Sequence, residues 1–228
     1  MNSSGYNSSK PTYFKDELLL VQCVKQYFKT RAMNSFSARL NGKSQNEQED
    51  IFIQTLRKLL EIKWIDVHAE SNEKHSCLYY AALSGSVSAL RLLVQSGARL
   101  DRLEHYEDSE GAEFVDLFLC VLKSSSRFEL SDAVLKFLIE QGASTDRVDN
   151  NGDSPVHWLA ALGKVELLKL LPKDEILKCN SKKWTTLHFA VERKEMETAL
   201  WLAKTYPQLS ESKTTDGQER PFSISIPF

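Results

Sequence analysis

Apolar residues spaced three or four positions apart predict two helices in the first part of the chain. The first is "FKDELLLVQCVKQYF", residues 14–28, and the second is "EDIFIQTLRKLLEIKW", residues 49–64. A polar connection, residues 30–48, separates them, and the Ser- and Asn-rich residues 1–13 predict a loose arm. The residues expected to line the buried faces of the two helices are Leu18, Val21, Val24, Phe28, Ile51, Leu56, Leu59 and Leu60.

A longer period begins after these helices. Three stretches, starting at Ser71, Asp149 and Asn180, share one order of residue types. Each has a polar turn, a small hydroxyl residue, an apolar residue, an aromatic residue or histidine, and then two short segments with an apolar face. This order predicts pairs of short helices that recur along the chain.

Each copy carries residues suited to begin and end such helices. Ser76, Ser154 and Thr185 stand where a hydroxyl oxygen can cap the first helix by accepting a backbone N–H. Pro155 fits a first helical turn, because its missing N–H would have no partner there. The glycines placed to end helices are Gly85, Gly97, Gly142 and Gly163. The residues expected to form the core of the second helices are Leu90, Leu92, Leu93, Val134, Leu138, Leu167, Leu168, Leu170 and Leu171.

The start of each copy carries a recognisable motif: "SCLYYA" from Ser76, "SPVHWLA" from Ser154 and "TTLHFA" from Thr185. These motifs resemble the T-P-L-H-x-A signature of ankyrin repeats. Three matches in the same register make the resemblance specific.

A fourth copy lies between the first two. It begins with a turn at Asp108 and Gly111 and ends with "AVLKFLIEQGA". Gly97 and Gly142 are 45 residues apart, 12 more than the 33 residues of a standard ankyrin repeat. We assign about four of the additional residues to the turn at 104–107 and about eight to "KSSSRFEL", between the two helices.

The resemblance implies an all-α ankyrin-repeat solenoid of helix-turn-helix units, with extended finger turns and an atypical helical cap at the N-terminus. The expected divisions are a flexible arm (1–13), a helical cap or degenerate repeat (14–70), four repeats (71–103, 104–148, 149–179 and 180–212), and the start of a further repeat or a truncated segment (213–228).

The resemblance also gives the histidines of the motif a structural role. His157 and His188 occupy positions where the imidazole hydrogen-bonds within and between neighbouring turns. Tyr79 takes this position in the first repeat and can pack there without forming the same bridge. Lys74 and Lys183 stand where the family usually has glycine, which predicts another turn conformation or left-handed strain.

Composition argues against several classes of function. Lys and Arg number 29 against 31 Asp and Glu, so the chain has no overall positive field for nucleic acid or anionic lipid. The four cysteines are too far apart for a metal knuckle or a dense disulfide framework, which indicates a reducing compartment. No apolar run approaches the roughly 18 residues of a membrane span. We expect a cytoplasmic protein, or one in the host cytosol if it is a secreted bacterial effector.

Few residues suggest catalysis. Cys77 is close to His75 in sequence, but it occupies the proline position of the ankyrin motif and would be packed. His68, His75 and His105 fall on separate fingers without a metal-ligand spacing. Paired carboxylates, a glycine-rich phosphate loop and an HExxH motif are absent from the sequence. We therefore expect no enzymatic activity, no cofactor and no metal.

Function is expected from the finger tips and from the solvent side of each first helix, including Leu83, Ser84 and Ala161. Trp184 and Tyr106 are the expected aromatic anchors. The residues assigned to a protein-binding surface are Asn72, Glu73, His75, Tyr106, Glu110, Asn150, Asp153, Lys182, Trp184 and Arg193. The acidic residues on the second and third fingers are Glu104, Glu107, Asp108, Glu110, Asp149 and Asp153. Because the fourth finger carries lysines instead, this distribution favours a protein partner with a basic patch toward its middle.

The expected function is a monomeric protein–protein interaction module that binds through its concave face. Two alternatives remain open, the targeting or substrate-recognition arm of a larger enzyme and a bacterial effector that acts on host proteins. The final stretch, "KTTDGQERPFSISIPF", resembles the opening of another repeat without a polar capping helix, which supports an array that continues further.

Overall fold

The computed structural model describes residues 19–37, 45–109, 111–126 and 131–212. Most of these residues form short helices in succession. The helices are α1 (Leu19–Ser37), α2 (Gln45–Leu60), α3 (Cys77–Leu83), α4 (Val87–Gln95), α5 (Leu117–Lys123), α6 (Asp132–Glu140), α7 (Pro155–Ala161), α8 (Val165–Leu168), α9 (Lys173–Ile176), α10 (Thr186–Glu192) and α11 (Met196–Thr205). Two 3-10 helices, Ser124–Ser126 and Pro207–Glu211, and two strands, β1 (Leu103–Asp108) and β2 (Gly111–Asp116), complete the described elements.

The first two helices stack on the repeats as one repeat stacks on another. Helix α1 packs on α3, and α2 packs on both α1 and α4. Leu20, Val21 and Val24 of α1 are fully buried, and the rings of Tyr27 and Phe52 stack with centroids 3.8 Å apart. This pair therefore covers the apolar side of the first repeat.

The bounds and faces of these two helices differ from the prediction. Helix α1 continues to Ser37, into the predicted polar connection, while residues 14–18 lie outside the described part of the chain. In α2, Phe52 is buried and Ile51 is 51% exposed. A stripe through Phe52 and Leu56 keeps the four-residue helical spacing, whereas Ile51 falls beside it.

The predicted helix caps are confirmed. The Ser76 hydroxyl oxygen accepts the backbone N–H of Tyr79 at 3.2 Å, and Pro155 is the first residue of α7. Lys74 and Lys183, which stand in place of glycine, adopt left-handed backbone conformations with φ of 65° and 60°. The finger turns thus keep the glycine geometry and carry left-handed strain, one of the two alternatives that the sequence left open.

The lengthened second finger is a β-hairpin. Strands β1 and β2 pair antiparallel, from Leu103 opposite Asp116 to Asp108 opposite Gly111. The residues assigned to a longer turn, 104–107, therefore all belong to strand β1. In the other predicted insertion, Ser124–Ser126 form a 3-10 helix, while residues 127–130 lie outside the described part of the chain.

The hairpin lies along helix α5. The Cys120 thiol is 3.7 Å from the carbonyl oxygen of His105, and the Tyr106 hydroxyl donates to the carbonyl oxygen of Lys123 at 3.3 Å. Since Cys120 is in the middle of α5 and Lys123 is its last residue, successive residues of β1 contact successive parts of the helix. The hairpin therefore covers α5, and all seven residues of this helix are buried.

The leucines of the second helices are buried unequally. Leu90, Leu93, Leu138 and Leu168 have no exposed surface, as predicted, but Leu170 is 51% exposed. Helix α8 ends at Leu168, so Leu170 lies in the following turn, and its side chain no longer follows the apolar face of the helix.

Replacement of Leu168 by alanine should leave a cavity between packed helices. We expect Leu168→Ala to lower the free energy of unfolding by about 2–5 kcal/mol, the range for buried leucines. Urea unfolding followed by circular dichroism measures this loss. Leu170→Ala, two positions further on, is the matched control and should change stability by less than about 1 kcal/mol. Equal losses in the two variants would show that the packing of α8 is described wrongly.

Candidate binding surface

The ten residues predicted to bind a partner fall into four groups in the structure. The exposed ones are Asn72, Glu73, Asn150, Lys182 and Arg193. His75 and Trp184 are half-buried, Tyr106 and Asp153 are buried, and Glu110 lies outside the described residues. Glu73 also forms an ion pair with Lys25 of α1.

The expectation that Tyr106 is an exposed anchor is wrong, because its side chain is only 7% exposed. Alternate residues of a strand point to opposite sides, and β1 places Tyr106 on the side that faces α5. Its ring lies 4.6 Å from the Lys123 ammonium, and its hydroxyl bonds to the Lys123 carbonyl oxygen. Tyr106 therefore attaches the hairpin to the helix.

The expected exposure of Asp153 is also wrong. Its carboxylate accepts a hydrogen bond from the Asn180 side-chain amide at 2.7 Å, which joins the third finger to the fourth. Burial raises the pKa of Asp153, and the bond from Asn180 opposes that rise. Asp149 closes the third finger itself, since one of its oxygens accepts the backbone N–H groups of Asn151 and Asp153 at 3.0 and 2.9 Å.

Glu104 joins the first finger to the second. It is fully buried, and one carboxylate oxygen accepts the backbone N–H of Ser76 at 2.8 Å while lying 3.5 Å from Nδ1 of His75. The His75 ring stacks on Tyr79 with centroids 3.9 Å apart. Glu104, Asp149 and Asp153 thus serve the scaffold, and the finger row exposes fewer acidic groups than the sequence indicated.

Lys123 is the residue of this region that the sequence analysis missed. Its side chain is 4% exposed, and its ammonium contacts Glu113 of β2 and lies 2.8 Å from Asp149 of the third finger. Burial by itself would lower the pKa of Lys123, but Asp149 and Glu113 raise it to about 12. The sequence feature that could have indicated this burial is the position of Lys123, a single lysine at the end of the apolar run "LFLCVLK".

The solvent side of the first helices is smaller than predicted. Leu83, Ser84 and Ala161 were expected to be exposed, but they are 7%, 4% and 6% exposed. Helix α1 packs on α3, and the hairpin covers α5. Near this surface, exposed polar residues remain at the finger tips and at the end of α10, where Glu192 and Arg193 are exposed.

Trp184 is half-buried against its own repeat. Its ring centroid lies 5.8 Å from both the His188 ring and the Phe189 ring. Its backbone N–H donates to the Asn180 side-chain oxygen at 2.8 Å. The indole contributes to the packing of the fourth repeat, and its role as a binding anchor remains a prediction.

The structural role of the motif histidines is confirmed. Nδ1 of His157 accepts the backbone N–H of Ser154 at 3.1 Å, and Nδ1 of His188 accepts that of Thr185 at the same distance. Because Nδ1 accepts a bond from a backbone N–H, we infer that the neutral ring carries its proton on Nε2. Burial lowers the pKa of His157 to about 4, although the nearby backbone of Lys178 favours the protonated ring.

The residues weighed for catalysis do not form a reactive site. Cys77 is fully packed, and burial, followed by the charge of Glu104, raises the pKa of its thiol to about 12. A thiol that stays protonated at neutral pH is a poor nucleophile. In the described ranges, no three His, Cys, Asp or Glu side chains come together in a way that could hold a metal ion. None of the described helices is long and apolar enough to cross a membrane.

A family model described as ankyrin repeats (3 copies) matches residues 122–212. The match begins at the end of α5 and runs to the end of the described chain. Residues 122–212 therefore consist of ankyrin repeats, and the mostly helical structure fits the all-α ankyrin solenoid that the signature motifs predicted. No curated protein sequence matches the chain. Ankyrin repeats are generally non-catalytic modules for protein–protein interaction.

Loss of the Lys123 charge should destabilise the fold. Lys123→Met would leave the carboxylates of Glu113 and Asp149 buried without their counter-charge, and breaking such a buried pair costs about 3–5 kcal/mol. Urea unfolding measures the loss. The control is Lys136→Met, which removes an exposed ion pair with Glu140 and should cost at most about 1 kcal/mol. Similar small losses in both variants would contradict a structural role for Lys123.

The buried neutral His157 should make stability depend on pH. Its pKa is about 4 in the folded chain and about 6.5 when unfolded, so between these values the unfolded chain binds more protons. The contribution of His157 is therefore present above pH 6.5, and about 3 kcal/mol of it is lost as the pH falls to 4. Unfolding of the wild type and of His157→Gln across this range should show a shallower slope for the variant. His68→Gln, at an exposed histidine, should keep the wild-type slope.

Proposed function

We propose that the chain binds a partner protein through its row of finger tips and the adjoining end of α10. The observation that supports this proposal is the contrast between the exposed tips and the rigid base of the fingers. The tips present Asn72, Asn150 and Lys182 to solvent. Beneath them, buried carboxylates join each finger to the next.

Such fixed bases favour binding, because a surface that is already ordered loses little conformational entropy when the partner arrives. The polar tips supply hydrogen bonds and charge, which determine specificity and orientation. Asn72, Asn150 and Lys182 lie on the first, third and fourth fingers, so a partner that contacts all three would span several repeats. We assign this binding role to the cytoplasm, because the four cysteines are unpaired.

The charge of the partner depends on which acidic residues remain at the surface. Glu104, Asp149 and Asp153 are used by the scaffold, so they give little support to the expected basic patch. In the sequence Glu107, Asp108 and Glu110 fall within four positions, but Glu110 lies outside the described residues. Lys182 and Lys183 of the fourth finger suit an acidic group on the partner.

A change of size and charge at the finger tips should weaken binding without unfolding the protein. We expect the triple variant Asn72→Arg, Asn150→Arg and Lys182→Glu to retain its partners at least tenfold less, equivalent to about 1.4 kcal/mol. Affinity capture from an extract of the cells that produce the protein, with quantitative mass spectrometry, compares the variants.

The matched control carries Lys136→Glu and Lys204→Glu, two exposed positions on the second helices of their repeats. This control should retain the same partners as the wild type. If the finger variant and the control both retained those partners equally, binding through the finger row would be wrong.

A further inference from the structure

The tip of the third finger contains an Asn–Gly bond, between Asn151 and Gly152. This dipeptide is especially prone to succinimide formation, because glycine has no Cβ atom to shield the backbone nitrogen that attacks the asparagine side chain. Both residues are half-buried. A chemically reactive bond therefore lies in an ordered part of the finger row, and its surroundings determine when it can react.

Succinimide formation at this bond needs no enzyme and no cofactor. The Gly152 nitrogen bonds to the side-chain carbonyl carbon of Asn151, the bond from that carbon to the amide nitrogen breaks, and the Gly152 proton leaves with the amide nitrogen as ammonia. Water then opens the ring. If the bond to the side-chain carbon breaks, aspartate results. If the bond to the backbone carbonyl carbon breaks, isoaspartate results, and the main chain then passes through the former side chain.

The closed finger opposes the first step. The Gly152 N–H donates to the carbonyl oxygen of Asp149 at 2.9 Å. One carboxylate oxygen of Asp149 accepts the backbone N–H of Asn151 at 3.0 Å, and the other lies 2.8 Å from the Lys123 ammonium. Because the Gly152 nitrogen must lose its proton and move toward the Asn151 side chain, the reaction requires this turn to open.

The same bond lies directly against the fourth finger. The carbonyl oxygen of Asn151 accepts the backbone N–H of Ser181 at 3.1 Å. A Cβ atom at Gly152 would lie 2.8 Å from the Ser181 nitrogen and 2.6 Å from its hydroxyl oxygen. The backbone at this point has no space for an additional atom, so the contact between the two fingers depends on the unmodified chain.

Isoaspartate at residue 151 is incompatible with this contact. Its main chain is longer by one atom, and the carbonyl group that accepts the Ser181 N–H becomes a free carboxylate outside the main chain. The new charge also lies in the same finger as the buried carboxylates of Asp149 and Asp153. Aspartate adds the same charge and keeps the length of the chain, so the two products differ in the backbone alone.

We propose that Asn151 is a modification site, at which opening of the third finger permits conversion to isoaspartate and this conversion separates the third finger from the fourth. Opening of the turn controls the rate, and the longer chain of the product prevents the turn from closing again. The proposal goes beyond the proposed function and does not rest on it, because it concerns a covalent change of the chain itself.

The rate of the reaction tests the control by the finger. Wild-type protein is incubated in mildly alkaline buffer, once folded and once in urea that unfolds it, and peptide mapping with isoaspartyl methyltransferase labelling measures the product at residue 151. We expect the reaction to be at least about tenfold slower in the folded protein, because only the open fraction reacts. In urea, the other Asn–Gly bond of the sequence, Asn41–Gly42, provides the reference rate for this dipeptide. Equal rates at Asn151 in the folded and the unfolded protein overturn the proposal.

The stability of the product tests the separation of the fingers. Asn41→Gln protein that has reacted in urea is refolded and exposed briefly to a protease at increasing urea concentrations. The surviving chains are then mapped for asparagine, aspartate and isoaspartate at residue 151. We expect the folding equilibrium constant to be at least about tenfold lower for the isoaspartate chains than for the aspartate chains of the same sample.

The matched control is the variant Asn151→Asp in the same Asn41→Gln protein, which carries the added charge on an unaltered backbone and should survive like the aspartate chains. Isoaspartate chains that are digested even without urea, while the aspartate chains survive, support the proposal. Equal survival of the isoaspartate and aspartate chains at every urea concentration overturns it.

Discussion

The buried ammonium group of Lys123 is the contact on which the arrangement of the second and third fingers depends. It lies between Glu113 of β2 and Asp149 of the third finger, over the ring of Tyr106. A buried charge is tolerated only while its counter-charges stay in place. With a pKa raised to about 12, Lys123 remains charged at neutral pH. The hairpin, helix α5 and the third finger must therefore keep their relative positions.

The same principle extends along the row of fingers. Each finger is joined to the next by a carboxylate: Glu104 bonds to the first finger, Lys123 connects the second to Asp149, and Asp153 bonds to Asn180 of the fourth. Solenoids are usually described by apolar contacts between neighbouring repeats. Here a series of buried polar contacts accompanies these apolar contacts. Each group in it needs its partner, because a buried polar group without a partner lowers the stability of the fold.

The covering of the first helices places the candidate binding surface at the finger tips. The hairpin covers α5, and α1 covers one side of α3. Among the described residues, the accessible surface includes the row of tips and the side of the hairpin that carries Phe114 and Leu103. Exposed side chains that are held on a rigid base are the arrangement expected of a surface that recognises another protein.

Sequence by itself determined the features that depend on near neighbours in the chain. The repeat period, the serine and threonine caps, the bridging histidines and the left-handed Lys74 and Lys183 all follow from backbone requirements within a few residues. Only the tertiary structure decided that the hairpin folds onto α5, that Lys123, Glu104, Asp149 and Asp153 are buried, and that Ile51 and Leu170 are exposed. The reason is that burial of a charged group depends on a counter-group far away in sequence. Ser76 and Glu104 are 28 residues apart, and Lys123 and Asp149 are 26 apart, and no local pattern reports such pairs.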